Sequence, residues 1–179
     1  APSQARLGAA RMAIGDGTLN IDELAWADGS VRTRGTLASV PLATVARFAG
    51  TPLPVGSTLT LAGDWSVAAG PRLNGTVNLR RDGGDLQVEG SGQAGTPARV
   101  ALGITKAEIV ARLADDAIAA EGSVLVADGG TIAAKLSLGA APDAVPGRIG
   151  GNAPLSLKAS ADVPSLQWLR HWIGTSAVF

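Results

Sequence analysis

The sequence predicts an all-β protein: an elongated, curled antiparallel sheet, shaped as a taco or half-pipe groove with a hydrophobic interior, plus two short amphipathic helices. Three observations predict it. Apolar and polar residues alternate through most of the chain. Asp-Gly pairs stand before several of the alternating runs. Glycines recur in the apolar phase of the runs themselves. Side chains of a strand project to opposite faces in turn, so this alternation makes one face apolar and the other wet. Parallel strands are buried on both sides, so a half-wetted pattern points to antiparallel pairing.

The elements follow in chain order. Weak runs come first, at Leu19 and Ile21 and at Val31 and Leu37. Val40-Pro41 then opens a segment in which Leu42, Val45 and Phe48 recur at steps of three before Gly50, with Thr44 and Arg47 opposite them. Proline at the start and glycine past the end predict a short helix over about 41–49. Alternation then becomes strong. Leu59, Leu61, Gly63, Trp65 and Val67 oppose Thr58, Thr60, Asp64 and Ser66, and Leu73, Gly75, Val77 and Leu79 oppose Asn74, Thr76, Asn78 and Arg80. Leu86 and Val88 stand against Gln87 and Glu89, and a fainter run spans 104–113. Ile118, Ala120, Gly122, Val124 and Val126 make the next strand. Ile132, Ala134, Leu136 and Leu138 face away from Lys135 and Ser137, and Leu155 and Leu157 from Ser156 and Lys158. Val163-Pro164 opens a second helical segment, about 164–173, with Leu166, Leu169 and Trp172 in step and Gly174 after it. Each helix is too short to stand alone and needs an apolar surface to lie on. About ten strands, roughly 10–15 residues apart, suit a meander.

Asp-Gly pairs at Asp16-Gly17, Asp28-Gly29, Asp82-Gly83 and Asp128-Gly129 suit the positive φ angles of tight hairpins. The adjacent Asp115 and Asp116 read as another turn. Gly35, Gly63, Gly75, Gly90 and Gly122 fall in the apolar phase, where glycine marks a bend, a bulge or close approach of another group. Repeated on one face, they suggest a sheet curling toward its apolar side.

Composition narrows the function. Fifteen basic residues balance fifteen acidic ones, which lacks the basic surplus of a nucleic-acid binder. The absence of Cys and the single His argue against a structural metal, and no cofactor is expected. His171 sits on the polar face of the second helical segment and reads as a surface residue. No Gly-x-Ser-x-Gly elbow and no general acid/base pair is visible, so the chain is not expected to be an enzyme. No stretch approaches the roughly 18 apolar residues of a membrane span. The opening at Ala1 has no signal-like pattern, and the expectation is a single β-groove segment, 1–179, excerpted from a longer protein.

The apolar face is the feature left to explain. Four Trp, two Phe and no Tyr supply few of the rings that fill a sandwich core, glycines interrupt the face, and two helices seek apolar support. A filled sandwich or barrel would bury the stripe in a dry core. An open apolar trough accounts for all three features and would favour acyl chains, at roughly 25 cal/mol per Å² of apolar surface removed from water.

The run from Leu61 through Gly63, Asp64, Trp65, Pro71, Leu73 and Gly75 to Val77 resembles the glycine, proline and leucine pattern of the TamB family, of the AsmA-like group of Gram-negative envelope proteins. The Val-Pro-Leu helix before it and the Leu-rich strands after it resemble the family too. The resemblance implies a periplasmic location, as part of a protein anchored in the inner membrane and belonging to a translocation and assembly module. It implies a long β-taco conducting phospholipid acyl chains between the membranes and supporting outer-membrane protein assembly. Its partner would be an Omp85-family (TamA-like) outer-membrane barrel. The implied lining is Leu59, Leu61, Trp65, Val67, Leu73, Val77, Leu79, Leu86, Val88, Ile118, Val124, Val126, Ile132, Leu136, Leu138, Leu155 and Leu157. Two rival readings remain open: a closed lipid-carrying barrel, and a chaperone-like scaffold offering its strand edges to outer-membrane proteins by β-augmentation.

Overall fold

The computed structural model describes residues 4–48, 50, 56–91, 97–127, 129–140 and 152–163. The elements run β1 (Gln4–Leu7), β2 (Ala10–Ile14), β3 (Gly17–Ala27), β4 (Ser30–Pro41), α1 (Leu42–Phe48), β5 (Gly56–Ser57), β6 (Thr60–Ala69) and β7 (Leu73–Gly83). Then come β8 (Leu86–Ser91), β9 (Pro97–Ala101), β10 (Ile104–Ala114), β11 (Ala117–Val126), β12 (Thr131–Leu138) and β13 (Leu155–Asp162). Among the described residues thirteen strands thus stand where the alternation suggested about ten, because short runs such as Gln4–Leu7 and Gly56–Ser57 carry too few residues to display a period.

Ten strands form one antiparallel sheet in the order β1, β3, β4, β6, β7, β10, β11, β12, β13. β2 shares the flank of β3 with β1. The sheet is open: among the described residues no pairing joins β13 to β1 or β2. β5, β8 and β9 form a separate three-stranded sheet. α1 is the one helix among the described residues, and none there is long and apolar enough to cross a membrane. The second helical segment, with Leu166, Leu169 and Trp172, lies outside the described residues.

Turn chemistry explains the meander. Asp28 and Gly29 take φ of 48° and 74° between β3 and β4, the two left-handed positions of a tight hairpin. Asp115 and Asp116 do the same between β10 and β11, at 49° and 67°, where aspartate tolerates a geometry that most side chains resist. At Asp16-Gly17 the turn falls one residue earlier, on Gly15 and Asp16. Asp82-Gly83 departs from expectation. Both residues stay inside β7, where the Ser39 hydroxyl donates to Asp82 Oδ2 at 2.6 Å, and the chain turns at Gly84 instead, φ 70°.

The bend at Gly84 has its own lock. Asp85 accepts from the backbone N–H groups of Leu86 (2.8 Å), Gly103 (2.7 Å) and Ile104 (3.2 Å), while its own N–H donates to Thr58 Oγ1 at 3.0 Å. These bonds satisfy the strand ends left unpaired where β8 and β9 leave the main sheet. Leu86 and Val88 therefore belong to the small sheet and do not continue the face carried by β7, a correction to the lining that the alternation alone suggested.

The dry core is small and lies mostly at one end. Val40, Ala46, Leu59, Leu61, Ala62 and Ile104 are buried where β4 ends, α1 crosses, and β6 and β10 begin. The Leu42 amide there donates to the Leu59 carbonyl at 2.9 Å. Pro41 ends β4 opposite Thr60, so α1 starts one residue later than its Val-Pro signature suggested. Among the described residues no side chain is fully buried.

Candidate functional site: the apolar face of the main sheet

Register decides which residues share a face, because residues directly opposite in an antiparallel pair project the same way. One row crosses the sheet as Ile21, Gly35, Trp65, Val77, Ala111, Ala120, Leu136 and Leu157. A second runs Leu24, Thr33, Val67, Gly75, Leu113, Ile118, Leu138 and Leu155, and a third Leu19, Leu37, Gly63, Leu79, Ile109, Gly122, Ala134 and Ala159. Val124 and Ile132 extend the apolar face by a further step, and Val126 lies beyond them opposite Ile104. Apolar residues thus line up across eight strands, not merely along each one.

The opposite face is wet and laddered. Asn20, Thr36, Asp64, Asn78, Val110, Glu121, Lys135 and Lys158 form one of its rows. Neighbours in that row bond directly: Asn20 Nδ2 donates to Thr36 Oγ1 at 3.3 Å, Asn78 Nδ2 to Asp64 Oδ2 at 2.8 Å, and Lys135 Nζ to Glu121 Oε1 at 2.9 Å. The Lys135 hydrogen bond and its charge hold the Glu121 carboxyl below the usual carboxylate range. Two shallow clefts, of about 360 and 380 Å³, indent mainly this face, beside Glu108, Arg112 and Lys135 and beside Glu23, Arg34 and Ser66. Both are open to solvent and mix charged side chains with small ones such as Ala119, Ala133 and Ala68, so they enclose little surface against which a ligand could be desolvated.

Exposure separates the faces further. Leu37, Trp65, Val67, Val77, Leu79, Leu113, Ile118, Leu136 and Leu138 are half-buried, whereas Thr36, Asp64, Ser66, Thr76, Arg112, Glu121, Lys135 and Ser137 are exposed. A second layer packed on the apolar face would bury its leucines almost completely. Half-burial is what lateral neighbours within one sheet provide. The shelter is incomplete: Leu24, Ile109 and Ile132 of the same face are exposed, and at the β13 edge Leu155 and Leu157 are 66% and 64% exposed.

Three glycines of the apolar phase lie hard against a neighbouring strand. A Cβ at Gly35 would overlap the Asn20 carbonyl and stand 2.6 Å from the Trp65 ring. One at Gly63 would meet the Asn78 carbonyl, and one at Gly75, φ 151°, the Ser66 carbonyl. At all three, a backbone carbonyl of the neighbouring strand lies where a side chain would begin. Trp65 spans the gap over Gly35, its indole N–H donating to Thr33 Oγ1 at 3.1 Å. Gly122 differs, with its nearest atoms 3.6 Å from a Cβ, and Gly90 lies in β8 of the small sheet.

The remaining expected lining residues divide by place. Trp65, Val67, Val77, Leu79, Ile118, Val124, Ile132, Leu136, Leu138, Leu155 and Leu157 share the apolar face. Leu59, Leu61 and Leu73 are buried, Leu59 in the link before β6, and offer almost no surface to a ligand. Leu42 and Val45 of α1 are half-buried, and Phe48 closes that helix. Ile109, Ala111 and Leu113 of β10 belong to the face although the alternation showed them only faintly. The apolar Val110, exposed on the wet side, blurs the period there. No family model, curated protein or solved structure matches this chain.

Proposed function

We propose that this chain is a non-enzymatic, lipid-conducting segment of a TamB-like periplasmic protein, its curled sheet forming a taco whose apolar side carries phospholipid acyl chains between the inner and outer membranes. The observation that carries the reading is the set of apolar rows, continuous over eight strands and covered by no second layer among the described residues. Acyl chains laid along these rows would remove apolar surface from water at roughly 25 cal/mol per Å², while headgroups stay at the wet rim. Support for outer-membrane protein assembly, with an Omp85-type barrel as partner, belongs to the same reading. The open edges speak against the closed-barrel alternative.

Val77 and Leu136 share one row and are half-buried, so Val77→Asp or Leu136→Asp puts a charge in the acyl path without emptying the core. A photo-activatable side chain at Leu138, with phospholipid vesicles as probe, is expected to yield lipid adducts. Either aspartate variant should reduce them at least about tenfold while retaining a cooperative unfolding transition. Normal lipid adducts in a folded Val77→Asp protein would sink the reading. Adducts to nascent outer-membrane proteins in place of lipid would favour the scaffold.

A further inference from the structure

β13 ends the main sheet, and its outer edge pairs with no strand among the described residues. All eight of its residues are exposed. Along such an edge alternate N–H and C=O groups point outward, a template for one more strand. The residues say which strand fits. Leu157, Ala159 and Ala161 continue the apolar face, and Lys158, Ser160 and Asp162 the wet one. On its inner side Lys158 stands opposite Lys135, a like charge already bonded to Glu121. Neither Lys158 nor Asp162 has an ion pair among the described residues.

We propose that two copies of this chain join edge to edge through β13, antiparallel, about a two-fold axis passing beside Ser160. An axis normal to the sheet keeps both apolar faces on one side and sets apolar positions opposite apolar ones. Centred on Ser160, Lys158 faces Asp162 of the partner subunit, and symmetry repeats the pair. Ala159 then faces the partner subunit's Ala161, and Leu157 the partner's Val163. The neighbouring registers are worse. Centred on Ala159, Lys158 meets only Ser160 of the partner subunit; centred on Lys158, two ammonium groups collide. The charges of β13 are thus self-complementary in one register, which makes a second copy the occupant that fits. The dimer is a single sheet of twice the width, with its apolar rows running across the seam, and it depends on this edge alone, whatever the apolar face carries.

Sedimentation analysis of the whole chain at about 100 μM tests this, with dimer expected for the unaltered protein. Lys158→Glu alone and Asp162→Lys alone each set like charges opposite one another and should weaken the dimer at least about tenfold. Mixed in equal amounts, the two variants restore an attractive pair at both positions and should dimerise with each other, which a folding defect could not produce. A monomeric unaltered protein overturns the proposal and leaves the edge to another segment of the same polypeptide or to water. A dimer indifferent to both reversals, or variants that fail to rescue one another on mixing, overturns it equally.

Discussion

A Cβ placed on Gly35 runs into the Asn20 carbonyl and crowds the Trp65 ring, whereas one placed on Gly122 finds its nearest atoms 3.6 Å away. The two glycines occupy equivalent phases of their strands, yet only the first lies too close to its neighbour to carry a side chain. Gly35→Ala is therefore expected to cost about 1–3 kcal/mol, read from the denaturant midpoint, with a shift in Trp65 fluorescence as its ring is displaced. Gly122→Ala should be neutral or stabilising by up to about 1 kcal/mol, since alanine suits a strand better where there is room. Equal losses at both sites would refute the close approach at Gly35 as the reason for its glycine. On the wet face, the Glu121 carboxyl is held low by Lys135, so its contribution to stability is present above the unfolded-state titration and fades as pH falls through the lowered value. Full exposure makes that contribution small.

Strands are tied to one another at their ends as well as along their ladders. The buried Asp116 carboxylate accepts from the Leu73 amide at 2.7 Å, its own amide donates to the Leu73 carbonyl at 3.2 Å, and Arg72 stands 3.6 Å from Oδ2. Asp115 adds a bond from its amide to Asn74 Oδ1 at 3.1 Å. The β10–β11 turn is thereby latched to the start of β7. Asp116→Ala should cost about 1–3 kcal/mol, because it orphans a buried amide, and should speed hydrogen exchange at Leu73. Asp116→Asn keeps an acceptor and a tolerance for φ of 67°, so it should retain most of the protection. If asparagine proves as damaging as alanine, the latch acts through charge rather than through the amide bond. The adjacent aspartates mark the turn in sequence, but the partner 43 residues away leaves no local signal. Leu86 and Val88 show the same limit, for their alternation matches that of the main-sheet strands and only the Asp85 corner diverts them into the small sheet.

At the scale of the whole molecule, the protein is a broad open sheet with a second sheet of three short strands, a small core lying mostly at one end, and no fully buried side chain among its described residues. Such a surface should bind an apolar fluorescent dye in the native state. The expected result is enhanced dye emission in plain buffer together with a single cooperative unfolding transition, which separates it from a molten globule. A dark dye with an equally cooperative transition would mean that the apolar rows are covered. Alternation and turn residues in the sequence were sufficient to determine the long antiparallel strands, their turns at Asp28-Gly29 and Asp115-Asp116, and which side of most of those strands is apolar, since all of these are set by neighbours a few residues apart. Tertiary structure alone decided that the apolar sides of eight strands align in rows, that Leu59, Leu61 and Leu73 are core, and that β13 stands as an edge among the described residues. Those outcomes depend on register and on whether a second layer arrives, and both are settled by contacts between residues far apart in the chain.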